Sequence, residues 1–182
     1  MTRTVLATVL VLLIIRTAVA VDLEEIRRLA EQGDAWYQTE LALMYHNGKK
    51  LDQDYSEAAS WYRLAADQGF SKAQANLGVL YAEGLGVKQD YEQAADWFLK
   101  AAEQGSPMAQ HNLGLLYSRG QGVEKNHVEA CIWEGLAATS GHREAIKNRD
   151  ICKQNLSDDE LRTAQRRESF LYLKIEQYKS RQ

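Results

Sequence analysis

Apolar residues along this chain fall at helical spacing, in short runs that glycines close. From Ser71 to Glu83 they sit at Ala73, Leu77, Leu80 and Tyr81, the i, i+4, i+7, i+8 stripe of an amphipathic helix. Gly84 then predicts the left-handed stop. A second stripe follows at Ala94, Trp97, Phe98 and Ala101 and ends at Gly105, so the unit reads as a helical hairpin. Asp54 with Glu57, Asp90 with Gln93 and Asn126 with Glu129 predict a capping box at the start of each second helix. Pro107, the single proline, follows Ser106 at the opening of a first helix, where its missing N–H is harmless.

The hairpin repeats every 36 residues. Gly33, Gly69, Gly105 and Gly141 keep that interval, as do Trp61, Trp97 and Trp133, and Tyr45, Tyr81 and Tyr117. Leu41, Leu77 and Leu113 share it, and so do Gly48, Gly84 and Gly120. Five sets of positions in one register define an internal repeat, which must stack on its neighbours to bury its second face. Small residues stand midway along first helices (Ala42, Gly78, Gly114) and early in second helices (Ala58, Ala94, Ala130). A glycine inside a helix costs up to about 1 kcal/mol against alanine, so these positions predict close helix–helix approach as the compensation.

The quoted segments Asn76–Tyr81, Gly84-Leu85-Gly86-Val87, Asp90–Trp97 and Ala101–Gly105 resemble the Sel1-like repeat family, relatives of tetratricopeptide repeats. The resemblance covers about residues 33–152. It implies an all-α solenoid of helix-turn-helix hairpins stacked as a right-handed superhelix, and a role as adaptor or assembly scaffold, often periplasmic in bacteria. Two places depart from the pattern. Lys49 and Lys50 replace the Leu and Gly of the turn, and Glu134-Gly135 replaces an aromatic and a long side chain.

The ends read differently from the middle. Residues 1–20 have a positive start at Arg3, an apolar run from Val5 to Ile15 and an Ala18-Val19-Ala20 cleavage pattern, the signature of a signal peptide. A retained anchor is the alternative, against which Arg16 and the short run argue. Residues 21–32 predict an N-terminal capping helix with Leu23, Ile26, Leu29 and Ala30 on one side, and 33–156 the repeats, three full and a partial fourth. Over 157–182, Ser157 with Glu160 opens a long helix whose stripe is Leu161, Ala164, Leu171, Ile175 and Tyr178, interrupted by Glu168. It reads as a C-terminal cap, or alternatively as a partner-binding or dimerising helix.

Composition narrows the function classes. With 45% hydrophobic and 26% charged residues the chain is of ordinary globular composition, and a net charge of −3 supplies no basic face for nucleic acid. Removing Arg3 and Arg16 with the leader makes it more acidic still. The two cysteines, an even pair in a chain expected to be exported, suggest a disulfide. Register puts Cys131 at the position of Ala95 and Cys152 at that of Leu80 and Leu116, on helices that stack side by side. A bond there would contribute about 3 kcal/mol; two buried thiols are the alternative. Cysteine-rich relatives carry two cysteines within each repeat, a pattern this chain lacks.

Catalytic signals are absent. His46, His111, His127 and His142 show no metal spacing, there is no G-x-S-x-G or S-x-x-K, and the Gly-x-Gly turns follow helices instead of strands. No cofactor and no metal are expected, and the chain reads as a non-enzyme that binds a protein or peptide partner, in a cell-envelope complex for example. A β-lactamase-like envelope enzyme and a structural or regulatory subunit are the alternatives. By analogy with tetratricopeptide stacks, the first helices line a concave face carrying Trp36, Thr39, Leu43 and His46, then Lys72, Ala75, Val79 and Ala82. Met108, His111, Leu115 and Ser118 continue it, with Glu144, Lys147 and Ile151 at the end. The C-terminal helix or water is the competing cover for that face.

Overall fold

The computed structural model describes residues 23–181, so the expected leader over 1–20 lies outside them. Among the described residues all regular structure is helical. α1 covers 23–31, α2 Ala35–Asn47, α3 Tyr55–Asp67, α4 Ser71–Glu83, α5 Tyr91–Glu103, α6 Pro107–Arg119, α7 His127–Thr139, α8 Arg143–Gln154 and α9 Asp158–Lys179. Even-numbered helices are the first of each hairpin and α3, α5 and α7 the second. From α2 to α8 each helix packs on its sequence neighbours, α9 packs on α7, and α4 also touches α6 directly past the intervening α5.

Caps set the helix limits. Asp54, Asp90 and Asn126 accept from backbone N–H groups of the first turn, including those of Glu57, Gln93 and Glu129. The reciprocal half that completes a capping box is made only at Ser157–Glu160 among these helices. First helices end on Gly48, Gly84 and Gly120 at φ near +65 to +70°, each donating its N–H back to Met44, Leu80 or Leu116. Beyond them, Gly86 and Gly122 bring the turn onto the preceding hairpin: a Cβ on Gly86 would stand 2.2 Å from the Tyr55 carbonyl carbon. Lys50 holds the same left-handed conformation, φ 66°, without being glycine.

The core alternates small and large as the sequence predicts. Ala73, Leu77 and Leu80 of α4 and Ala94, Trp97, Phe98 and Ala101 of α5 are buried. Gly78 lies under the Phe98 ring, where a Cβ would be 2.7 Å from ring carbons. Burial of the Tyr62 hydroxyl at the corresponding place in α3 pushes its pKa well up.

Polar side chains stitch the hairpins together. Gln38, Gln74 and Gln110, again 36 residues apart, are buried, and each donates Nε2 at 3.1 Å to a carbonyl of the preceding helix, at Ala30, Ala66 and Ala102. Gln68 and Gln104 then donate to Gln38 and Gln74 at 2.8 and 2.7 Å. Ser140 occupies the next step, and Gln110 Oε1 has no partner.

α9 folds back on the second-helix side. It lies along α7, burying Ala164 and Ile175, while Lys174 and Tyr178 reach Glu103 and Gln104 at the end of α5. Glu168, which interrupts its apolar stripe, stands over Gly135 so closely that a Cβ there would meet its carboxyl at 2.5 Å. Burial raises the Glu168 pKa, and Lys153 and Arg149 oppose the rise. Gly135 is therefore the seat of the C-terminal helix. Among the described residues no helix is long and apolar enough to cross a membrane.

Candidate partner-binding surface

The first helices present one face of the stack, and α9 leaves it open by packing on the other. Two grooves cross this face in line. One, about 270 Å³, lies between α4 and α6 over Phe98 and Tyr91, with Val79, Ala82, Leu115 and Leu116 in its walls. The next, about 300 Å³, lies between α6 and α8 over Ala130 and Glu134, with Leu115, Ser118, Asn148, Ile151 and Cys152 around it.

The residues expected on this face divide into three groups. Trp36, 51% exposed, and Met108 are open to solvent, as are Lys147 and the Lys72 ammonium, paired at 2.9 Å with Glu40. Leu43, Val79 and Leu115 are half-buried; Val79 and Leu115 line grooves, and Leu43 packs against the α2–α4 core. Thr39 and Ala75 are buried and contribute no open surface. His46 packs edge-on against Tyr55 and Tyr62, with ring centroids 5.3 and 6.2 Å away.

His111 is held inward. Its Nδ1 lies 2.9 Å from Glu134 Oε2, and its ring stacks on His142 with centroids 4.5 Å apart. Glu134 is only 3% exposed and takes a second hydrogen bond from Asn148 Nδ2 at 2.9 Å. Sequence reading flagged Glu134 as irregular but did not connect it to His111, 23 residues away. It also missed the glutamine ladder, whose 36-residue spacing was the available signal.

Cys131 and Cys152 are paired, with Cα atoms 5.5 Å apart, and the link ties α7 to α8. Cys152 Sγ also stands 3.5 Å from the His127 carbonyl oxygen. Among the described residues no group of three or more His, Cys, Asp or Glu is placed to hold a metal ion.

The architecture is that of a helical-repeat scaffold, and the comparisons with known proteins specify which. The Sel1 repeat family matches residues 37–70, 71–106 and 107–142, more than half of the chain, which therefore belongs to it. Sel1 repeats generally mediate protein–protein interaction, and proteins built from them are generally scaffolds without catalytic activity. The crystal structure of a Sel1 repeat protein from Oxalobacter formigenes is similar at 41% identity and TM-score 0.65, over 71% of this chain and 98% of that one. So is c5321, a protective antigen of uropathogenic Escherichia coli displaying an SLR fold, at 43% identity and TM-score 0.64. The match covers 68% of this chain but only 26% of that longer protein. No curated protein matches the chain.

Proposed function

We propose that this chain is an extracytoplasmic scaffold that binds an extended segment of a protein partner along its first-helix face. The observation that carries this is the pair of aligned grooves, one between α4 and α6 and the next between α6 and α8. A surface repeating every hairpin suits an extended chain, which can set one side chain into each groove. Direct approach of α4 to α6 supports reading this as the inner face, where Trp36, Met108, Lys72 and Lys147 would offer both apolar and charged contacts. Export is supported by the paired cysteines together with the leader expected over residues 1–20.

The test is a photo-crosslinking amino acid placed singly at Val79 and Met108 on the first-helix face and at Leu64 on α3. Crosslinked in the native envelope, the first two positions should capture one common partner, and Trp36→Ala with Met108→Ala should weaken a crosslink placed at Val79. Capture from Leu64 alone would overturn the assignment of the face. Mass analysis of the exported protein without reductant should show no free thiol and a start at Val21.

A further inference from the structure

We propose that the groove between α6 and α8 is a pocket for a cationic side chain of the bound segment, lysine or arginine, with Glu134 as its counter-charge. This rests on reading the first-helix face as the partner surface. The two aligned grooves differ in their floors. Phe98 occupies the floor of the first, above Gly78; Glu134 stands at the same register in the second, above Gly114. Exchanging a ring for a carboxylate at a buried place is a costly step unless charge and hydrogen bonds are supplied.

Hydrogen bonds are supplied, by a histidine that departs from the repeat and an asparagine that keeps it. His111, where α4 has Ala75, bonds Oε2, and Asn148 bonds Oε1. The corresponding Asn76 donates instead to the Lys72 carbonyl of its own helix. Each carboxylate oxygen still has acceptor capacity after one hydrogen bond. Leu115 and Ile151 give the groove apolar walls along which methylenes can lie, and the polar floor then meets the charged end. Arg119 and His127, both exposed, are the other ionisable groups lining it. They favour an occupant whose cation reaches the floor while its backbone carbonyls stay at the mouth. The Cys131–Cys152 link fixes the wall that Cys152 provides. One repeat apart, the two grooves therefore select an apolar and a cationic side chain in turn.

The test uses N-acetyl-lysine methylamide and its uncharged counterpart N-acetyl-norleucine methylamide, titrated into the oxidised, exported protein and followed by amide chemical shifts. The lysine probe should move Gly114, Leu115, Asn148 and Cys152 and bind at least tenfold tighter than the norleucine probe. Glu134→Gln, which can still bond both His111 and Asn148, should reduce that preference to less than twofold. Glu134→Phe, which restores the ring above a glycine, should do the same should the glutamine variant fold poorly. Equal binding of the two probes, or a lysine preference surviving both variants, would overturn the pocket. If that happens while Val79 and Met108 still capture a partner, the surface reading stands and the pocket alone fails. A lysine preference without capture at those positions leaves the pocket standing and removes the surface reading.

Discussion

The second and third hairpins, α4–α5 and α6–α7, share a backbone plan and differ in what fills it. In the second, Gly78 receives the Phe98 ring and Ala75 packs beneath, so the contact is wholly apolar. In the third, Gly114 receives the Glu134 side chain, His111 replaces the alanine, and a buried carboxylate with two donors stands where a ring would be. Ala95 and Leu116, buried neighbours in the second hairpin's contact with α6, become Cys131 and Cys152 one repeat later. Adjacent residues on α7 also serve opposite sides: Glu134 faces the first-helix groove, while Gly135 admits α9. A repeat thus tolerates new chemistry at a core position only when its neighbours change with it.

Breaking that rule should have the largest effect. Phe98→Glu places a carboxylate in the second hairpin without a histidine at Ala75, and should lower unfolding stability by about 4 kcal/mol, read from the urea midpoint. Replacing both cysteines by serine returns the third hairpin to a non-covalent contact. Across a separation of 21 residues this should cost about 3 kcal/mol, with the same readout before and after reductant on the parent protein. The reverse swap made with its neighbour, Glu134→Phe with His111→Ala, should leave stability unchanged or raise it by about 1–2 kcal/mol, since apolar replacement of a buried polar pair is often favourable. An equal loss from Phe98→Glu and from this double variant would show that both sites are packed for their own residue alone. The smallest change extends the glutamine ladder: Ser140→Gln should give Gln110 Oε1 its missing donor and add about 1 kcal/mol.

Much of this was legible in the order of residues. The glycine stops, the capping signals and the apolar stripes gave α4 its limits at Ser71 and Glu83 and the long final helix its opening at Ser157, because those signals are local. Register alone brought Cys131 and Cys152 together, since a regular stack makes distant positions neighbours by arithmetic. The face expected for a partner was less legible. Thr39 and Ala75 look available by spacing but are buried, because α2 and α4 are contacted from two sides and spacing cannot say how wide each contact is.

The sequence by itself therefore determined the hairpin, its repetition and the place where repetition falters, through helix periodicity and backbone preferences that act within a few residues. Only the tertiary structure decided what the faltering does. That Glu134 meets His111 and Asn148, that Gly135 seats Glu168, and that α9 leaves the first-helix face open all depend on helices packed across the stack. Side-chain pairing between elements follows from where the helices come to rest, and no local pattern encodes it.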